Sequence, residues 1–181
     1  MRTENKWDKI YKTHELDDIP WERGKPREVL KEFMEKGKIP QGKALDVCCG
    51  AGTQSIYLAQ KGIKVYCNDI SKTANEYAKE KARKFNLSDK IEFFNENFMN
   101  LPFEDNEFDF VLDSGCFHHV KPDDRLKYIR EIHRVTSDKG RYFLLAFSNK
   151  NGPAWNNYSK EDLEGFFVDY FTFIEVRHIN S

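Results

Sequence analysis

Leu45-Asp46-Val47-Cys48-Cys49-Gly50-Ala51-Gly52 is the stretch that decides the fold. Residues 43–49 form a short apolar run holding one acid and closed by glycines, which reads as a buried strand entering a tight turn. Gly50 and Gly52 let the backbone turn sharply and let a ligand approach it. Residues 53–61 then suit a helix with Gly62 as its stop. A second strand is predicted at 64–70, and Ser71 caps a helix reaching Asn86. Further strands are predicted at 90–95, 108–113, 141–147 and 171–177. A charged helix over 123–136, capped by Asp123, precedes the strand at 141–147. A polar loop from Ser148 to Tyr158, with Gly152 and Pro153, leads to a last short helix opened by Ser159.

Strands alternating with helices at this pitch imply crossover units. The expected class is α/β: a Rossmann-like, doubly wound, mainly parallel sheet with helices on both faces. Two helical stretches near 4–13 and 26–37 precede it. The reading is one domain over 1–181, with an N-terminal helical lid at 1–40 and the core at 41–181.

The chain has 181 residues, 39% hydrophobic and 14% aromatic, enough to bury a core without metal or disulfide staples. Lys and Arg number 29 against 30 Asp and Glu, so no polyanion-binding surface is indicated and nucleic acid is not an expected partner. No run approaches the roughly 20 apolar residues of a membrane helix, and the charged start from Met1 to Lys9 lacks a signal region. A cytoplasmic protein is expected. Cys48, Cys49, Cys67 and Cys116 show no metal or redox spacing and read as free thiols.

In such sheets ligands bind beyond the C-terminal strand ends. That singles out Asp46 to Gly52, Asp69, Asn97-Phe98 and Asp113-Ser114-Gly115. Asp69 follows the glycine turn at the spacing of an acid that accepts from ribose hydroxyls, so the ligand should contain adenosine. A nucleoside triphosphate loop would need a Lys after Gly52, and a dinucleotide loop a third glycine where Ser55 stands. Asp46 fronts the turn and opposes any phosphate. Opposite charges ~4 Å apart attract by about 4 kcal/mol at an effective dielectric near 20, before desolvation. That favours a ligand bearing ammonium and sulfonium, S-adenosyl-L-methionine.

These residues resemble the class I S-adenosylmethionine-dependent methyltransferases. Residues 45–52 are similar to their first motif, Asn68-Asp69-Ile70-Ser71 to their second-strand acid, and Asn95 to Phe103 to their adenine-side motif. Phe108 to Asp113 and the segment Arg130 to Tyr142 resemble the later strands and the helix between them. Ile19-Pro20-Trp21-Glu22-Arg23-Gly24 and Asp113-Ser114-Gly115-Cys116-Phe117-His118-His119 resemble the small-molecule subgroup of thiopurine, thiol and tellurite-resistance type. The resemblance implies methyl transfer to a small acceptor. It implies that Asp46 and the turn with Cys48, Cys49, Gly50 and Gly52 hold the amino-acid end. Asp69 would take the ribose, Ile70 and Phe98 would sandwich adenine, and Asn97 would bond its amino group. Asp113 and Ser114 would face cofactor or acceptor, with Tyr11 and Trp21 as lid walls.

Cys48 stands where the family usually has glycine, and Asn97 where it usually has Asp. No stretch reads as the seventh, antiparallel strand of the family sheet, which leaves an edge that a second copy of the chain could cover. His118, His119 and Asp113 are the candidates for a general base, and no metal is expected. A nicotinamide- or nucleotide-sugar-dependent enzyme on the same fold, and a non-catalytic cofactor-binding module, are the alternatives.

Overall fold

The computed structural model describes residues 5–151 and 156–179, so Gly152 and Pro153 of the predicted loop lie outside it. Among the described residues the strands are β1 (Lys43–Val47), β2 (Lys64–Asn68), β3 (Ile91–Phe94), β4 (Phe108–Ser114) and β5 (Thr136–Leu145). They form one parallel sheet in the order β3-β2-β1-β4-β5. The order reverses between β1 and β4, the place where open parallel sheets bind their ligands. The register aligns Val47 with Asn68 on one side and with Asp113 on the other, which brings three strand ends to one rim.

Two layers of helix cover the sheet. Alternation along the strands sends Leu45, Val47 and Val111 to one face, against α5 (Arg125–Val135) and α6 (Lys160–Phe167). Ala44, Phe110 and Leu112 go to the other, against α2 (Glu28–Glu35) and α3 (Thr53–Gln60). Ser71 caps α4 (Lys72–Lys84) through Ala74 N, as its sequence predicts, and Ser159 and Asp162 form a capping box on α6. Asp123 does not cap α5. It lies in a 3-10 turn over Pro122–Asp124, and the proline at its start favours that tighter turn before the α-helix begins at Arg125.

The predicted lid divides. Among the described residues α1 (Lys6–Thr13), the following 3-10 turn (Leu16–Asp18) and the loop on to Glu22 lie over the glycine turn, through Tyr11 and Ile19 against Ala51 and Ala74 and through Glu22 on Ala51 N. Helix α2 joins the sheet packing through Leu30, with Phe33 edge-on to Phe143 at 5.1 Å. Asp8 fixes α1 to the start of α4 by accepting from Ser71 Oγ and Thr73 N, both at 2.9 Å. Burial opposes ionisation, but Thr73 N, the Lys12 ammonium at 3.0 Å and Ser71 Oγ together outweigh it and hold the carboxyl far below the usual range.

Residues 171–177 are not a strand. Their alternation is satisfied by side chains rather than by a ladder: Glu175 accepts from Lys38 at 2.5 Å, and Arg177 pairs with Glu32 of α2 at 2.5 Å. Among the described residues the outer edge of β5 therefore carries no strand partner. β5 itself starts at Thr136, earlier than the pattern suggests. Its register slips between Phe108 and Phe110 of β4, which accommodates the extra residues up to Gly140.

The cysteine expectation is corrected as well. Cys48 and Cys116 form a disulfide across a separation of 68 residues, leaving Cys49 and Cys67 as free thiols. The adjacent β1 and β4 ends bring the two Cα atoms to 5.8 Å, which linear spacing cannot reveal. Closing a loop of that length removes about 4 kcal/mol of chain entropy from the unfolded state. Thiol titration of denatured protein should find two reactive cysteines before reduction and four after, and reduction should lower unfolding stability by up to about 4 kcal/mol.

Candidate functional site

The predicted residues gather at the rim between β1, β2 and β4. Asp46 ends the inward face of β1, is 1% exposed, and accepts from Ser55 Oγ of α3 at 2.5 Å. Ser55, which fills the slot of the missing third glycine, is thus the hydroxyl that partners the buried acid. Burial drives the Asp46 carboxyl up to about 7. The Ser55 bond works the other way, and the nearby charges of Asp113, Asp69 and Glu22 reinforce the rise. Asp69 is raised to about 6, again first by burial, despite backbone donors from Ser71 and Gly50.

Asp69 is also the brace of the turn. One carboxylate oxygen accepts from Gly50 N at 2.9 Å and the other from Ser71 N at 2.8 Å, tying the β1 loop to the start of α4. Above the turn sits the lid. Glu22 accepts from Ala51 N at 2.8 Å and from Tyr11 Oη at 2.5 Å, and Tyr11 accepts from Trp21 Nε1 at 2.8 Å. A Cβ on Gly50, whose φ is +55°, would stand 2.5 Å from Glu22 Oε1 and 2.6 Å from Tyr11 Oη. Gly50 is therefore required twice, by backbone and by space. Tyr11 is buried, and Trp21 is partly exposed with Trp7 edge-on at 5.6 Å.

The remaining candidates are less uniform. Cys48 takes a left-handed φ of +55° in the glycine position, tethered to Cys116. Cys49 is half-buried beside Asn75, and Gly52 forms the left-handed N-cap of α3. Ile70 is half-buried, its carbonyl accepting from Asn5 Nδ2 at 3.0 Å. Asn97 is exposed and folds its Oδ1 back to Met99 N at 2.9 Å, while Phe98 lies edge-on to Tyr128 at 5.3 Å.

Asp113 faces the protein interior rather than a ligand or an acceptor's proton. It is 0% exposed, and its oxygens accept from Gly115 N, Cys116 N, Phe117 N, Tyr128 Oη and Tyr142 Oη. Those five donors use up its lone pairs, so it shapes the loop after β4. Ser114 and Gly115 open instead on a groove of about 2050 Å³ that runs along β5 and α2, and His118 lines it too. The His118 ring stacks on Phe147 at 3.9 Å, and among the described residues its buried Nδ1 has no hydrogen-bond partner. Burial lowers His118 to about 3 and His119 to about 4, so both rings are neutral near pH 7.

Sequence reading missed Glu22 and Asp8 as lid anchors. Both sit in stretches whose acids look like solvated surface charge, and only the fold reveals the loop amides they serve.

Residues 44–140 match a family described as Methyltransferase domain. The chain belongs to this family. A demethylmenaquinone methyltransferase of Listeria welshimeri is 32% identical over 129 residues, covering 69% of this chain and 53% of its own. A probable thiol methyltransferase 2 of Arabidopsis thaliana is 29% identical over 153 residues, 82% of this chain and 66% of its own. A 2-heptyl-1-hydroxyquinolin-4(1H)-one methyltransferase of Mycobacteroides abscessus is 29% identical over 134 residues, 74% and 58%. The chain thus spans about half to two thirds of the length of these relatives. A solved structure described as "Conversion of a Disulfide Bond into a Thioacetal Group during Echinomycin Biosynthesis" is 25% identical, covers 90% of this chain and 76% of its own, and superposes with a TM-score of 0.79. Membership of this family favours the methyltransferase reading of the site over the nicotinamide, nucleotide-sugar and non-catalytic alternatives.

The buried acids set a pH dependence. Their folded values exceed the unfolded carboxyl value of about 3.9, so the folded state takes up their protons first and stability from this source grows as pH falls below about 7 and about 6, reaching its full extent near 3.9. A cationic ligand needs the ionised acids, so its affinity should fall over the same interval. His118 and His119 oppose the stability trend below about pH 6.5, where the unfolded chain binds their protons. Wild type and Asp46→Asn should therefore be compared by thermal melts and by titration with a charged ligand from pH 8 to 5.5. The substitution should remove the part of the stability slope that sets in below about 7 and flatten the fall in affinity centred near 7.

Proposed function

We propose that this chain binds S-adenosyl-L-methionine and transfers its methyl group to a small-molecule acceptor. The observation that carries the reading is the buried carboxylate pair Asp46 and Asp69 beneath the glycine turn, joined by Glu22 from the lid. Three acids around one crevice repel a phosphate and suit an ammonium and a sulfonium. When bound, the cofactor supplies a methyl carbon already activated for in-line displacement. The chain contributes position and charge. Asp46 and the turn from Cys48 to Gly52 hold the amino-acid end, and Asp69 accepts from the ribose. Ile70 and Phe98 flank the adenine, with Asn97 at its amino group. Tyr11 and Trp21 exclude water.

The acceptor enters from the groove beside Ser114, Gly115 and His118. A neutral His118 can accept a proton only from an acidic acceptor, and an acceptor that ionises unaided needs no base. The quinolone, quinone and thiol in the relatives' names support a small organic acceptor. A formal charge of −1 is the reason to expect no nucleic acid. Among the described residues no helix is long and apolar enough to cross a membrane. A cytoplasmic setting is proposed from the charged sequence. The redox state of the Cys48–Cys116 pair in cells tests that setting: a pair that stays disulfide-bonded there would overturn it. A second copy meeting the open β5 edge is the proposed route to an oligomer.

Calorimetric titration with S-adenosylhomocysteine beside NADH tests the cofactor. The first should bind and the second should not, and Asp46→Asn should weaken the first about tenfold or more. NADH binding without S-adenosylhomocysteine binding would refute the proposal. Transfer of a labelled methyl group to a panel of phenols, thiols and quinols should identify at least one acceptor.

A further inference from the structure

Glu22 differs from the other two acids of the crevice in where it rides. Asp46 lies in β1 and Asp69 directly follows β2, whereas Glu22 belongs to the lid, next to Trp21. Its partners are neutral donors, Ala51 N and Tyr11 Oη, and among the described residues it makes no ion pair with Lys or Arg. Lys81 and Arg27 feel its charge, but Lys81 Nζ is bonded to Thr53 Oγ1 at 3.2 Å. On its other side its charge acts on Asp46 and Asp69. The lid thus carries a negative charge down onto a negative crevice, held there by hydrogen bonds from neutral groups. A cation in the crevice turns this repulsion into attraction between ligand and lid. A neutral ligand of the same shape does not.

Resting on the function proposed above, we infer that Glu22 makes lid closure selective for the positively charged cofactor. In the transfer, an electron pair of the acceptor forms the new bond to the methyl carbon, and the sulfur keeps the pair of the bond that breaks. The positive charge leaves the cofactor with the methyl group and passes to the acceptor or to a proton it releases. The lid therefore grips the sulfonium before transfer and slackens on the thioether after it. Glu22 is in this sense a specificity-determining residue, separate from the acids that hold the ligand to the sheet.

The test is the ratio of two dissociation constants, measured by calorimetry for S-adenosylhomocysteine and for sinefungin. Sinefungin carries an amine-bearing carbon where the methyl donor has its sulfonium. Glu22→Gln keeps the acceptor oxygen for Ala51 N and Tyr11 while removing the charge. It should weaken sinefungin about tenfold relative to S-adenosylhomocysteine, with a melting temperature close to wild type. Tyr11→Phe keeps the charge and removes one donor, and should weaken both ligands by the same factor. An equal loss for both ligands in Glu22→Gln, or no loss for either, overturns the inference and leaves Glu22 as a structural latch. Binding of neither ligand by the wild-type chain overturns the function on which it rests, and the inference with it.

Discussion

The two hydrogen bonds that Asp69 accepts from Gly50 N and Ser71 N are the constraint on which the rest of the site depends. Bonds to an ionised group contribute about 1.5–3 kcal/mol each, more than neutral pairs. They fix the turn after β1 against the entry of α4, and so set the height of every amide on that turn. Ala51 N then points at the lid and receives Glu22. Asp8 repeats the device one step outward, bonding Ser71 Oγ and Thr73 N at the same helix start. The N-terminus of α4 is therefore the place where turn, sheet and lid meet, and the favourable interaction of acids with a helix N-terminus supports all three.

Much of this was readable from the sequence. Ser71 and Ser159 announce their helices because a hydroxyl before an amphipathic run has few other uses. The glycine turn and Asp69 announce the site because their spacing reflects the geometry of one βαβ unit. What failed was pairing between distant positions. Alternation over 171–177 cannot distinguish a strand from an extended segment held by side chains, and the partners Glu32 and Lys38 lie more than a hundred residues away. Asp113 looked like a ligand because it ends a strand at the rim. Two tyrosines from α5 and β5, Tyr128 and Tyr142, converge to claim it.

The same convergence explains the disulfide. Cys116 is placed by the Asp113 network, which accepts from its amide, and Cys48 by the left-handed turn after β1. Two loops positioned for ligand contact thus meet at sulfur, and the bond joins the two strands that flank the switch in sheet order. The acid expected to touch substrate instead fixes the loop that anchors one half of this bridge.

The segment beyond α6 has a consequence for how the molecule opens. Phe171 still packs on Tyr142 and Phe167, but past it the anchors, Lys38–Glu175 and Arg177–Glu32, are surface pairs whose side chains stay 28–36% exposed. Such pairs contribute about 0–1 kcal/mol each and weaken as salt is added. With no ladder to break, this stretch can peel away while the sheet remains intact, as a separate unit of low opening cost. Its amides should exchange with solvent far sooner than those of β1 or β4, and the long groove beneath it would widen each time it lifts.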